Sequence, residues 1–365
     1  MEMQPPRAGT PQRLAGAPDE AHPSESWRSA GWIDIQVNGY AGVDLNADNV
    51  TTRDLENLTQ RFHREGVARW FPTVITAAPT HMTSCLRRIA AARRESPLVA
   101  RAVLGIHLEG PFLSDDPGAR GAHPADHVMD PDDDLFSRFQ DAADGLIRIV
   151  TLAPERTGAA AFTQRRVDEG LIVAIGHSNA SVDAIREVVD AGATLSTHLG
   201  NGAPALLPRH PNVIWEQLAE DRLTASAIFD GHHLSKSVMQ VLAKTKGPDH
   251  LILTSDAVAL GGQPPGVYSG QVGGEVELHP SGRLTMVGTP YLAGSASSLR
   301  EVMQVAIHEV GISPADALRF VAYNPASLVG HAGNDHTTMT VRDGEVDIDE
   351  VVIEGEVAYA ATSHT

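Results

Sequence analysis

Two histidines and two carboxylates close four separate apolar runs of this chain, and the four side chains together suit metal-assisted hydrolysis. Glu109 ends AVLGIHLEG, His177 ends LIVAIGH, His198 ends ATLSTH and Asp256 ends LILTSD. Zinc accepts neutral imidazole and carboxylate readily, and a catalytic zinc keeps three protein ligands and one open position. Glu109, His177 and His198 can supply those three. Asp256 is then the general base, taking a proton from water during attack and passing it to a leaving amine. Any one of these groups alone reads equally well as a polar rim side chain, and Asp256 as a cap of the next segment. The set of them, with Gly110 and Gly176 beside two members to admit close backbone approach, favours a metal centre.

Residues so far apart in sequence can meet only if the ends of different elements converge. Four further runs end at Gln36-Val37-Asn38, Thr76, Glu155, and Asp230 with His232 and His233. Eight such runs predict a (β/α)8 barrel, whose active site lies on the C-terminal face of its strands. Strands are expected near 32–37, 70–76, 102–108, 147–152, 171–176, 193–198, 224–229 and 250–255. A helix is expected over 52–65, with Leu55, Leu58 and Phe62 on one face and Gly66 as its stop. Another carries Cys85 among Met82, Leu86 and Ile89, and a third is capped by Ser181. Helices over 296–310 and 314–322 follow, the latter opening on Ser313-Pro314.

The loop 110–134, rich in Gly, Pro and Asp, holds His123, placed to donate to a carbonyl oxygen or to cap a turn. Its Asp run at 130–134 reads as a solvated turn. Asn201, Arg209 and His233 fall in the loops after the sixth and seventh strands, where barrels often hold anions. Arg209 suits bidentate binding of phosphate or carboxylate, or a surface ion pair. Gly261-Gly262 lacks the lysine and helix of a phosphate loop and reads as a turn. The expected organisation is a weakly ordered segment over 1–30, a barrel over 31–335 with a β insertion near 264–292, and a β segment over 336–365.

Composition narrows the function classes. A length of 365 residues holds one barrel of about 250 residues with insertions. No apolar run approaches the roughly 18 residues of a membrane span. The first 30 residues lack the apolar core of a secretory signal, which points to a cytoplasmic protein. The single cysteine excludes an internal disulfide and fits a reducing compartment. A net charge of −18 argues against nucleic acid as partner, so an anionic substrate needs local Arg and His residues.

The segments GWIDIQVNGYAGVDLN, GIHLEGPFLS with RGAH, VTLAPE, AIGHSNAS, THLGNGAP, FDGHHL, LTSDA, LAGSASSL and NPASLVG occur in this order from about residue 31 to 345. The chain thereby resembles the N-acetylglucosamine-6-phosphate deacetylases of the amidohydrolase superfamily. The resemblance implies a (β/α)8 TIM barrel with a small β domain built from the chain ends, here partly truncated because the first strand begins near residue 32. It implies hydrolysis of the acetamide of an N-acetyl amino sugar 6-phosphate, and a homodimer whose neighbouring subunit helps to bind the phosphate. Glu109, His177 and His198 would hold the metal, Asp256 would be the acid/base and His123 would contact the substrate carbonyl. Asn201, Gly202, Arg209 and His233 would hold sugar or phosphate. Gln36 and Asn38 stand where many relatives carry His-x-His. Neutral amides are poor zinc ligands beside imidazole, so one divalent ion per subunit is expected, Zn²⁺ before Fe²⁺, Mn²⁺ or Co²⁺. Gly200 replaces an aromatic of the family pattern, which would reshape the pocket, and another acylated amine or a cyclic amide is the alternative substrate.

Overall fold

The computed structural model describes residues 11–14, 24–271, 274–289 and 292–362. Eight parallel strands form the central sheet: β1 (Trp32–Val37), β2 (Val67–Ile75), β3 (Ile106–Glu109), β4 (Ile147–Leu152), β5 (Ile172–Ile175), β6 (Leu195–Ser196), β7 (Thr224–Ala227) and β8 (Leu251–Leu253). They neighbour one another in chain order from β1 to β8. The ends meet where Asp256 N donates to Gln36 O at 3.1 Å and Asn38 N to Ala257 O at 2.8 Å, which closes the barrel.

Alternation along these strands sorts the side chains into an interior and an outer layer. Inside, Ile33, Ile35, Phe71, Ile149, Leu195 and Ile252 make an apolar plug. Above it lies a polar layer: His107 Nε2 meets Thr151 Oγ1 at 2.7 Å, and Thr151 Oγ1 meets Thr197 Oγ1 at 2.8 Å. The site residues stand on top of that layer. Outward residues of the strands pack under amphipathic helices such as Thr52–Arg64, which buries Leu55, Leu58 and Phe62 and begins with a Thr51/Asp54 capping box. Cys85 is ordinary buried core of the helix Pro79–Glu95.

Several boundaries differ from the sequence expectation. β6 has two residues rather than six, because the chain turns at His198, whose φ is +32°. Residues 97–102, at the edge of the expected third strand, are a short helix capped by Ser96. The Asp run at 130–134 is not only a solvated turn. Asp132 accepts from Leu135 N at 2.8 Å and caps the helix Asp133–Ala142. The helix expected over 296–310 is α-helical over Leu299–Val305 and widens to a π-turn at Ala306–Val310.

The insertion near 264–292 is an antiparallel sheet of Gly266–Gln271, Gly274–Leu278 and Leu284–Met286. The chain ends build a second antiparallel sheet in the order Gln12–Leu14, Ser24–Ala30, His336–Arg342, Glu345–Ile353 and Glu356–Ala360. Two of its strands, Gln12–Leu14 and Ser24–Ala30, come from the segment expected to be weakly ordered. Residues 1–10 and 15–23 of that segment lie outside the described residues.

One buried ion network joins barrel to small sheet. Arg69 on β2 donates to Asp335 through Nε at 2.7 Å and Nη2 at 3.1 Å. Asp335 also meets His331 Nε2 at 3.0 Å and Glu354 N at 3.0 Å. Burial opposes the charge of Asp335, but His331 and Arg69 hold its carboxyl well below the ordinary range. A depressed folded pKa contributes stability above the unfolded value and loses it as pH falls through the folded one. Asp335→Asn is therefore expected to cost about 3–5 kcal/mol at neutral pH, as breaking a buried pair does. Thermal unfolding at pH 7 should show a Tm lower by several degrees, and the deficit should shrink below about pH 4.

Candidate active site

Glu109, His177 and His198 converge on one point although they come from β3 and the ends of β5 and β6. Their ligand atoms all lie within 4.8 Å of one another. His198 Nε2 is 3.0 Å from Glu109 Oε1, His177 Nε2 is 3.1 Å from His198 Nε2, and His177 Nε2 is 3.4 Å from Glu109 Oε1. Ligands about 2.0–2.1 Å from one ion at tetrahedral angles stand about 3.3 Å apart, so this triangle has the size of a metal site. His177 Nδ1–H donates to Ala119 O at 3.0 Å. That bond fixes the tautomer and leaves the Nε2 lone pair facing the other two ligands. The donor set and its spacing fit a divalent cation.

Local backbone supports the convergence. His177, His198 and Asp256 have φ of +48°, +32° and +48°, a region that costs non-glycine residues on the order of 1–3 kcal/mol each. Three such residues at three strand ends around one cavity mark a site whose side-chain directions are imposed by the fold. Two glycines make the room. Gly110 has φ +89°, and a Cβ there would stand 2.1 Å from Thr76 Oγ1; at Gly202, φ +58°, it would stand 2.9 Å from His177 Nδ1.

Electrostatics follow from burial. Burial alone would raise Glu109, but His177 and His198 hold it well below the ordinary value. Burial lowers His198, yet Glu109 beside it raises the ring overall. The cluster thus favours one added positive charge, which a proton or a cation can supply. Burial and the charge of Glu109 push Asp256 up to about 7. Burial and His177 push His123 down to about 3, which keeps that imidazole neutral.

Gln36 on β1 and Asn38 just past its end hold the two carboxylates. Gln36 Nε2 donates to Glu109 Oε1 at 2.9 Å, and Asn38 Nδ2 to Asp256 Oδ1 at 2.7 Å. A bulge makes this possible: the register steps from Asp34 opposite Trp70 to Val37 opposite Pro72, three residues against two.

A cavity of about 440 Å³ opens above the cluster, lined by Asn38, Glu109, His123, His177, His198, Asn201, Gly202, His233 and Asp256. His123 Nε2 stands 3.2 Å from His177 Nε2 and 4.0 Å from Glu109 Oε2. Asn201 Nδ2 and His123 Nδ1 are buried with no hydrogen-bond partner in the protein. His233 Nδ1–H donates to Asp230 Oδ2 at 2.7 Å, and Asp230 Oδ1 accepts from the backbone of His232 and His233. Arg209 is the exception: it is exposed and does not line the cavity of its own chain. Gly200, too, is exposed and is not among the residues lining the cavity.

Two contributors were not singled out as site residues from the sequence. Asp230 orients His233, and the three-residue spacing in FDGHH carried that signal. Arg283, on the insertion sheet's hairpin, lines the cavity and had no local signal at all.

No family model matches the chain. A N-acetylgalactosamine-6-phosphate deacetylase of Escherichia coli O157:H7 is 30% identical over 335 residues, covering 90% of this chain and 86% of that protein. A N-acetylglucosamine-6-phosphate deacetylase of Bacillus subtilis is 32% identical over 310 residues, 84% of this chain and 76% of that protein. The solved N-acetyl-D-glucosamine-6-phosphate deacetylase of Mycobacterium smegmatis superimposes with a TM-score of 0.81 at 29% identity, over 91% of this chain and 87% of that one. Likeness of this extent makes the chain a member of the N-acetylglucosamine-6-phosphate deacetylase family of amidohydrolases.

Proposed function

We propose that this protein removes the acetyl group from an N-acetylhexosamine 6-phosphate, N-acetylglucosamine 6-phosphate first, releasing acetate and the free amine. The observation that carries the reading is the Glu109–His177–His198 triangle with Asp256 beside it at the floor of one cavity. One divalent ion per chain, Zn²⁺ foremost, belongs in that triangle. When bound, it supplies a Lewis acid that polarises the acyl carbonyl and makes water a better nucleophile. Gln36 and Asn38 donate where a second ion would need acceptors, which supports a single ion.

Asp256 takes the proton of the attacking water and returns it to the departing nitrogen. Asn38 fixes one of its oxygens, so the other is oriented for that transfer. His123, neutral and buried, donates to the acyl oxygen. His233, aimed by Asp230, and Asn201 hold the hydroxyl and phosphate end, and Gly202 leaves His177 its space. The barrel unit 31–335 carries all of these groups.

Homodimer formation gives Arg209 a role despite its exposure, by reaching a neighbouring subunit's cavity. Leu206, 92% exposed in the same loop, supports a covered surface there. The lone buried cysteine fits a reducing cytoplasm, and no helix among the described residues is long and apolar enough to cross a membrane.

A second reading, hydrolysis of another acylated amine, is favoured by the absence of Arg209 from its own cavity. Acetate release from N-acetylglucosamine and N-acetylgalactosamine, each with and without 6-phosphate, decides between them. A charged hydrogen-bonding contact is worth on the order of 2–5 kcal/mol, so kcat/KM should be at least about tenfold higher for the phosphorylated sugars. Equal efficiency with and without phosphate would promote the second reading.

A further inference from the structure

We propose that Arg283 is the guanidinium within this chain that receives the anionic end of the substrate, and so sets its preference for a phosphorylated sugar. This deepens the phosphosugar reading above and rests on it.

An anion binding to a protein of net charge −18 needs positive charge local to the cavity. Among the described residues lining the cavity, Arg283 is the one arginine or lysine, whereas Arg209 lies outside it. The other groups there that can be cationic are histidines: His177 and His198 in the triangle, His123 held neutral, and His233.

The hairpin holds Arg283 in place. His279 N donates to Arg283 O at 2.9 Å and Gly282 N to His279 O at 3.0 Å, closing the turn. Leu284, the next residue, is buried against Leu260, Val276 and Leu278. His232 Nε2 meets Ser281 O at 3.1 Å, which ties the turn to the loop that carries His233. Arg283 and His233 therefore line the same cavity from two elements tied together by that contact.

The chemistry suits a phosphate. A guanidinium presents five N–H donors in a planar fork that matches phosphate oxygens two at a time. Arg283 also interacts within the protein, and five donors leave room for both. It is half-buried, so the contact is less screened than one on open surface. Together with His233 it would give a two-point cradle for a dianion at the end of the sugar remote from the scissile amide.

Steady-state kinetics of Arg283→Gln on N-acetylglucosamine with and without 6-phosphate test the assignment. KM for the phosphorylated sugar should rise at least about tenfold while kcat changes less than about threefold, the mark of binding shared by ground and transition states. The rise in KM on the unphosphorylated sugar should be several-fold smaller than on the phosphorylated one. Arg283→Lys, which keeps the charge but not the fork, should retain part of the preference. Inorganic phosphate should inhibit the wild type more strongly than Arg283→Gln when the unphosphorylated sugar is the substrate. A wild-type preference left intact by Arg283→Gln would overturn the assignment and leave the phosphosugar reading standing. A wild type without any preference overturns both, and shows it before a variant is made.

Discussion

Asp256→Asn is expected to lower kcat by about 10²–10⁴-fold, the scale of lost general acid–base help, while the protein keeps its fold and its metal. The substitution is close to isosteric, and the backbone argues for Asn above other replacements. Asp256 sits at φ +48°, and asparagine is among the few residues that enter this region at little cost. An amide oxygen can still accept from Asn38 Nδ2, which now stands 2.7 Å from Asp256 Oδ1. Asp256 is not one of the three clustered ligand atoms, so metal content should remain one equivalent. What disappears is a group able to gain and lose a proton at the floor of the cavity. Turnover, elemental analysis and thermal unfolding on the same preparation separate these effects. Turnover within tenfold of wild type would remove Asp256 from the proton path, and loss of metal would recast it as a ligand.

The parts of this site that were legible in the sequence are those that a strand end determines locally. Glu109, His177, His198 and Asp256 each follow a short apolar run, and the barrel brings such ends together whatever the loops do. Chain order and strand order coincide here, so placing the strands also placed the candidate ligands. Features that depend on partners distant in sequence were not legible. Ser24–Ala30 is mostly polar, and its strand exists because His336–Arg342 pairs with it along its length. Nothing in SESWRSA alone calls for that pairing. Arg283 belongs to a hairpin whose position at the cavity is decided by packing of Leu284 and Val276 on Leu260, a tertiary contact with no local pattern. Arg209 is a converse case: its type suits an anion, but its exposure and its place outside the cavity of its own chain depend on how the loop after β6 folds, which its sequence does not carry. The short β6 shows a third kind of limit. The run ATLSTH predicted a longer strand, and the left-handed turn at His198 that aims its ring also ends the ladder.

Glu109→Gln should abolish stoichiometric metal binding and lower kcat/KM by at least about 10³-fold. The loss of several kcal/mol of Lewis-acid stabilisation corresponds to that factor at about 1.4 kcal/mol per tenfold. The change replaces an anion by a neutral amide of nearly the same shape. Gln36 Nε2, at 2.9 Å from Glu109 Oε1, keeps an acceptor, and the burial of the site is unchanged. Gross structure should therefore survive. The electrostatic logic of the cluster should not: Glu109 is the carboxylate that makes positive charge favourable beside His177 and His198. Without it, a divalent ion would face two imidazoles and an amide, a much weaker set. Two readouts distinguish this from simple damage. Elemental analysis after dialysis should give one equivalent for the wild type and well under one for the variant. Added Zn²⁺ should raise the Tm of metal-stripped wild type, as any ligand specific to the native state does, and should leave the variant's Tm nearly unmoved. A variant that holds a full equivalent and turns over normally would show that the ion sits elsewhere. Two equivalents in the wild type would show that Gln36 and Asn38 do not exclude a second ion.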